Sequence, residues 1–281
     1  MMTESSIKTM KLYSNVERVF NELKELGYTD DEPLRIGDLI PFDQYHYGGT
    51  AAVDAAIEQL RLDDTHHVLE VGSGIGGPAR YLSHRSGCRV TALELQRDHH
   101  ETAAELTARA GLAERVHHVC GDILSDQLPG NDYDAVVSWL AFLHIPNRAL
   151  LFKRCIDCLK PSGFLYVEDL TKRGEFTQYE SRDLTTKVYC EYLPTLDEYD
   201  WQLGAAGFVD RKLVDMSEPW KAFVLDRYER FTNAQSRHLR VHGSEIVAGL
   251  DDFFGTVAKL FAGANLGGVR ILARKPISRS Q

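Results

Sequence analysis

The most constraining feature is the run Val68-Leu69-Glu70-Val71-Gly72-Ser73-Gly74-Ile75-Gly76-Gly77. An apolar, β-branched stretch passes through four glycines into a helical pattern. Glycine lets backbone approach a ligand closely, and the amides that open the helix point at it. A strand, loop and helix joined this way place a ligand at the carboxyl end of a sheet. Two phasings fit. Gly72, Gly74 and Gly77 match G-x-G-x-x-G, while Glu70, Gly72, Gly74 and Gly76 match an acidic residue followed by x-G-x-G-x-G. The loop alone does not choose between a dinucleotide and another nucleoside.

The acids that follow separate the two. Glu94 closes the next β-rich run, CRVTALEL over 88–95, where a carboxylate can accept both hydroxyls of a ribose. Nicotinamide enzymes share that feature. Asp122, in Cys120-Gly121-Asp122-Ile123 after a third run, can accept from an adenine amino group while Ile123 packs on the ring. Ser73, Leu95, Gln96 and Ser138 flank these positions and complete the expected nucleoside contacts. No Tyr-x-x-x-Lys pair accompanies them.

Strands and helices alternate through the middle of the chain. Strands are predicted over 66–71, 88–95, 115–120, 133–139 and 164–169, with helices over 76–85, 97–110 and 147–159. The result is an α/β, doubly wound, Rossmann-like sheet, seven-stranded and mostly parallel, with helices on both faces, an antiparallel last strand over 267–275, and an antiparallel edge made by the late strands over 208–216 and 267–275. Ahead of it, Ser14 and Glu17 read as a capping box for a helix over 14–27. The stretch 28–49, with Pro33, Pro41 and the Gly48-Gly49 pair, reads as an irregular lid. Residues 1–49 are therefore expected to cover the site, and 50–281 to form the main domain. Within it, 171–265 supplies substrate-covering helices, two of them long, over 219–240 and 244–262.

At 281 residues, 43% hydrophobic and 26% charged, the chain can bury a large core. A net charge of −9 argues against nucleic-acid and anionic-membrane partners, and no apolar run approaches the roughly 20 residues of a span. The amino terminus has no signal-peptide core and the five cysteines are scattered, so a cytoplasmic protein, monomer or homodimer, is expected.

Over residues 40–170 the chain resembles the class I S-adenosylmethionine-dependent methyltransferases. The stretch Ser138-Trp139-Leu140-Ala141-Phe142-Leu143-His144-Ile145, followed by Leu151-Phe152-Lys153-Arg154-Cys155 and Leu159-Lys160-Pro161-Ser162-Gly163, is similar to that of phosphoethanolamine and sarcosine/dimethylglycine N-methyltransferases. The resemblance implies S-adenosylmethionine as cofactor, S-adenosylhomocysteine as product and a small polar acceptor, with an amine nitrogen favoured. In the phosphoethanolamine enzymes a tyrosine and a histidine act as latch and base; Tyr13 and His144 occupy the matching positions. Two positions depart from the pattern. Leu140 stands where those families carry an acid, and Tyr189-Cys190-Glu191 lacks their Arg-x-Tyr element ahead of Thr195-Leu196-Asp197-Glu198-Tyr199.

Aromatic residues can hold a cation instead, so Tyr45, His46, Tyr47, Trp139, Leu140, Tyr189 and Tyr192 are the expected acceptor contacts. Transfer to oxygen, sulfur or carbon of a larger apolar acceptor stays open, as does a binding protein that has lost its chemistry. Cys155 and Cys158 read as buried helix packing. The adjacent pairs His66-His67, His99-His100 and His117-His118 suggest metal chelation, but neighbours on a strand point to opposite faces, so two of the pairs cannot chelate through one face, and no metal site is expected. Arg227, Arg230, Arg237 and Arg240 read as a solvated helix face.

Overall fold

A computed structural model describes residues 13–125 and 130–277. Helices α1 (Arg18–Glu25), α2 (Ile36–Asp43) and α3 (Thr50–Leu60) come first. Then β1 (His67–Val71), α4 (Gly77–Ser86), β2 (Arg89–Glu94), α5 (Arg97–Arg109), β3 (Val116–Cys120), β4 (Tyr133–Trp139), α6 (Arg148–Cys158) and β5 (Leu159–Lys172) alternate. The carboxyl-terminal part holds α7 (Gln178–Asp183), a π-helical turn (Leu184–Val188), α8 (Leu196–Ala205), β6 (Val209–Asp215), α9 (Ser217–Asn233), α10 (Gln235–His242), α11 (Ser244–Ala262) and β7 (Leu266–Arg274).

The strands form one seven-stranded sheet in the order β3-β2-β1-β4-β5-β7-β6. Pairings from β3 to β5 are parallel, and β7 runs antiparallel to both β5 and β6. The last strand is antiparallel, and with β6 it forms the antiparallel edge expected of the late strands, β6 being outermost. Burial explains the placement: β7 carries Leu266, Val269, Ile271 and Ala273 into the core, whereas β6 is exposed or half-buried along its whole length. Strand order reverses between β1 and β4. This is the switch point where open α/β sheets leave a crevice at their carboxyl ends.

Three expectations ahead of and behind the sheet need correction. Ser14 and Glu17 make no capping box; α1 starts after Glu17, whose side chain caps nothing. The stretch 28–49 contains α2 despite Pro41, because Leu39 packs into a core with Val19, Leu23, Ile75 and Leu106 while Pro41 stays exposed. Tertiary burial overrides local propensity there. The predicted helix over 219–240 breaks at Ala234 into α9 and α10.

That break matters for the basic run. Arg237 donates to both carboxylate oxygens of Glu22 at 3.1 and 2.5 Å, His242 bonds Glu22 at 2.8 Å, and Arg240 pairs with Glu25. Arg227 faces inward against three aromatic rings. Only Arg230, paired with Asp226 on its own helix, behaves as a solvated face. The other arginines clamp α1 or line the interior.

Candidate active site

A cavity of about 510 Å³ opens at the switch point. One side comprises strand ends and the loops that follow them: Glu70 to Ile75, Leu93 to Gln96 and Gly121 to Ser125. The other side draws on Tyr13, Tyr45 to Tyr47, Trp139 to Leu140, Leu143 to Asn147, Leu170, Val188, Arg227 and Phe253.

The glycine loop is shaped by steric necessity at two points. Gly72 has φ 74°, and a Cβ there would stand 2.2 Å from the Ala141 Cβ. A Cβ on Gly77 would stand 2.1 Å from the Asp43 carbonyl oxygen, so this glycine lets α2 close on α4. The buried Arg80–Asp43 ion pair, 3.0 Å, fixes that junction. Gly77 thus serves packing, whereas Glu70, Gly72 and Gly74 of the acidic phasing line the cavity.

Glu94 ties the loop down. One of its oxygens accepts from the Gly74 amide and the other from the Gln96 amide, both at 2.8 Å. Asp122 accepts from the Leu124 amide at 2.8 Å and from the Ser125 hydroxyl at 3.2 Å, which turns the chain after β3. Glu70 is 2% exposed. Burial, reinforced by the Glu94 charge and opposed by Arg80, pushes its carboxyl up to about 8. At neutral pH that carboxyl is largely protonated.

Opposite the loop, His144 sits in a short helical turn after β4. The Leu143 amide donates to Asp169, which also takes the Tyr199 hydroxyl at 2.6 Å and Arg148 at 3.3 Å. A real capping box, Thr195 with Glu198, starts the helix that delivers Tyr199. His144 Nδ1 lies 3.0 Å from the Tyr189 carbonyl oxygen. A carbonyl can only accept, so Nδ1 carries the proton and Nε2 holds the lone pair. Nε2 is buried without a partner. Burial lowers the pKa of the ring, which keeps it neutral at pH 7. Leu140 (φ 55°) and Tyr189 (φ 56°) flank this histidine in left-handed conformations, strain of the kind concentrated at functional sites.

Tyr13 meets His144 edge to face, ring centroids 5.9 Å apart, and meets His99 at 5.6 Å. Burial raises its phenol above the ordinary tyrosine range, so it stays a neutral donor. His46 donates from Nε2 to the Gly49 carbonyl at 3.0 Å, and burial drives its pKa down to about 4. Its Nδ1 and the Trp139 indole nitrogen are both buried without partners.

A family profile described as a methyltransferase domain matches residues 68–163. The chain is 26% identical over 250 residues to a phosphoethanolamine N-methyltransferase of Plasmodium falciparum, covering 86% of this chain and 91% of that protein. It is 30% identical over 118 residues to a sterol 24-C-methyltransferase of Gibberella zeae, covering 42% and 31%. Its fold superposes, with TM-score 0.82 and 20% identity, on phosphoethanolamine N-methyltransferase 2 of Haemonchus contortus in complex with phosphomonomethylethanolamine and S-adenosylhomocysteine. That match covers 97% of this chain, which spans 60% of the Haemonchus chain.

The chain carries a methyltransferase domain and is an S-adenosylmethionine-dependent methyltransferase.

The residues of this methyltransferase fit that cofactor. Glu70 Oε2, Ser73 Oγ, Gln96 Oε1 and His99 Nε2 are buried without a protein partner beside the glycine loop. Buried polar atoms are normally satisfied, so such a cluster marks where a polar ligand belongs. Leu95 and Ile123 provide apolar faces on the same side.

Four expected contacts lie off the cavity wall. Gly76 is turned toward His118 and Arg80 and serves as the helix start. Ser138 is fully buried and donates to the Val71 carbonyl at 2.8 Å, bracing β4 against β1. Tyr189 acts through its backbone carbonyl on His144. The Tyr192 hydroxyl accepts from Gln202 at 2.8 Å. His99, Arg227 and Phe253, which were not among the expected contacts, join the wall instead. His99 sat in a doublet read only for metal chelation, and Arg227 in a run read as solvated. Among the described residues one trio, Glu22, His238 and His242, has ligand atoms within 4.8 Å of one another, and Glu22 is already engaged by Arg237. No helix of the described residues is long and apolar enough to cross a membrane.

Proposed function

We propose that this methyltransferase acts on the nitrogen of a small polar amine, with His144 as the base. The observation that carries the reading is the orphaned Nε2 of a neutral histidine in the wall of the cavity that the glycine loop also lines. The similarity to a phosphoethanolamine N-methyltransferase supports it.

When bound, S-adenosylmethionine supplies a methyl carbon made electrophilic by its sulfonium. Glu70, Ser73, Glu94, Gln96, His99 and Asp122 would hold it, with Gly72 and Gly74 allowing close approach. His144 Nε2 would take the proton of the incoming ammonium, which leaves the amine nitrogen with the lone pair that methyl transfer requires. Tyr13 and His46 border the acceptor and restrict its orientation, and positioning of this kind can supply much of the acceleration. Residues 13–49 form the cover. Its inner segment, Tyr45 to Tyr47, reaches the acceptor, and Glu22 and Glu25 hold its first helix to α10.

The decisive experiment is a pH–rate profile of His144→Ala and His144→Asn. A base role predicts that alanine lowers kcat by roughly 10²–10⁴-fold while S-adenosylhomocysteine affinity holds. The neutral ring is the active form and burial lowers its pKa, so the wild-type rate should fall only below the ordinary histidine value of 6.5. Loss of that ascending limb in both variants supports the base. Unchanged kinetics across pH would assign His144 to structure.

A second reading, methylation of carbon, oxygen or sulfur on an apolar acceptor, is favoured by the wall of Leu140, Leu143, Leu170, Val188 and Phe253. Leu140→Asp separates the two. An ammonium acceptor should tolerate or prefer it, and an apolar acceptor should lose binding with the fold intact.

A further inference from the structure

Arg227 is the one cation in the cavity wall among the described residues. It projects from α9 onto the rings of Tyr47, Phe223 and Phe254, with its guanidinium carbon 5.0, 5.6 and 4.7 Å from their centroids. Among the described residues no carboxylate pairs with it, and its Nε is buried without a partner. The other arginines of the same run all have acids: Arg230 with Asp226, Arg237 with Glu22 and Arg240 with Glu25.

A guanidinium withdrawn from water needs compensation. Aromatic faces return roughly 0.5–2 kcal/mol each, and the Tyr47 hydroxyl accepts one hydrogen bond from the guanidinium, which still leaves Nε without an acceptor. A planar fork of donors is matched by the paired oxygens of a carboxylate or phosphate. The acids of the cavity are elsewhere. Glu70, Glu94 and Asp122 stand at the strand ends and Asp43 is paired with Arg80, while Arg227 lies on Tyr47, a member of the apolar cluster that also holds Leu143 and Val188.

We infer that Arg227 anchors an anionic oxygen group of the methyl acceptor, a carboxylate or a phosphate monoester, at the end of the cavity away from the glycine loop. The acceptor then carries an acid as well as its nucleophile, and Leu140 in place of an acid makes sense. A wholly cationic amine would enter beside a fixed positive charge, whereas a zwitterion is oriented by it. The inference rests on the methyl-acceptor reading of this end of the cavity.

Binding tests it independently of turnover. With S-adenosylhomocysteine saturating, the protein is titrated calorimetrically with benzoate, phenyl phosphate and neutral benzamide, which share a ring suited to the apolar wall. At least one anion should bind ten-fold or more tightly than benzamide. Arg227→Gln should erase that preference while keeping S-adenosylhomocysteine affinity, and Arg227→Lys should retain part of it. A lead for benzoate assigns a carboxylate, and a lead for phenyl phosphate a phosphate. Equal binding of all three by the wild type, or a preference that survives Arg227→Gln, overturns the inference. So does parallel loss of S-adenosylhomocysteine binding in both variants, since Arg227 would then only hold the cavity together. The result does not depend on His144, so failure here leaves the base assignment standing.

Discussion

The strand-end side of the cavity is made of short consecutive stretches, 70–75, 93–96 and 121–125, whereas the opposite side gathers single residues from the amino-terminal segment, the turn after β4, the π-helical turn and helices α9 and α11. On the first side backbone does much of the shaping. Gly72 must lack a side chain, and Glu94 spends both oxygens on amides of the loops it joins. On the second side the side chains carry the chemistry: a neutral histidine with a free lone pair, a protonated phenol and an arginine without an acid. A site of the first kind is a property of one fold and one ligand. A site of the second kind can change its substrate through single substitutions that leave the sheet untouched, because each contributor belongs to a different element.

The contrast can be broken most sharply at Gly72. Gly72→Val should abolish measurable S-adenosylhomocysteine binding, since the added atoms collide with Ala141 from a left-handed backbone. In Gly72→Ala the nearest obstacle is the Ala141 Cβ at 2.2 Å, so adding Ala141→Gly should recover part of the affinity. Calorimetry that finds Gly72→Val binding normally would show that the close approach is not needed.

Glu94→Gln comes next. It replaces charge-assisted acceptance by a neutral amide that can satisfy only one of the two backbone donors as acceptor. A loss of about 1.5–3 kcal/mol, or roughly 10–100-fold in S-adenosylhomocysteine affinity, is expected. Affinity should fall with little change in the acceptor preference set by the other side.

Tyr13→Phe probes the opposite wall. The phenol is neutral and touches His144 through ring edges, so cofactor affinity should hold and kcat should fall by only about ten-fold, one lost hydrogen bond to the acceptor. A loss as large as that of His144→Ala would make Tyr13 a proton-transfer partner.

The smallest effect concerns the clamp between α1 and α10. Burial alone would raise the Glu22 carboxyl, but His242 and Arg237 outweigh it and hold it at about 2 instead of 4.5. A depressed acid contributes stability above its unfolded pKa and loses it as pH falls, here from about 4.5 toward 2. Glu22→Gln should therefore flatten the acid limb of the melting temperature and speed hydrogen exchange in α1, with exchange in β1 and β4 unchanged. Exchange rising equally in α1 and the sheet would mean that the clamp is not local.

Much of the parallel sheet was legible because its signals are local. Alternation of β-branched runs with helical periods set β1 to β4 within a residue of their observed ends, and the glycines and acids at strand ends identified the ligand side. Those residues are adjacent in sequence because a strand end and its loop are adjacent in space. The rest depended on contacts between distant segments. Nothing near Pro41 announces a helix; Leu39 forms one because a core from α1 and α5 receives it. Which of the two late strands is outermost shows only in burial and pairing, which put the Leu266 to Arg274 strand between β5 and β6. His144 was readable as a residue, but its tautomer is set by the carbonyl of Tyr189, 45 positions away. Arg227, Arg237 and Arg240 share one spacing and one composition, and the break at Ala234 sends the first into the cavity and the others onto Glu22 and Glu25. Local sequence determined which strand ends line the cavity. Tertiary packing decided which charges face the acceptor, because a side chain's partner is chosen by what folds against it.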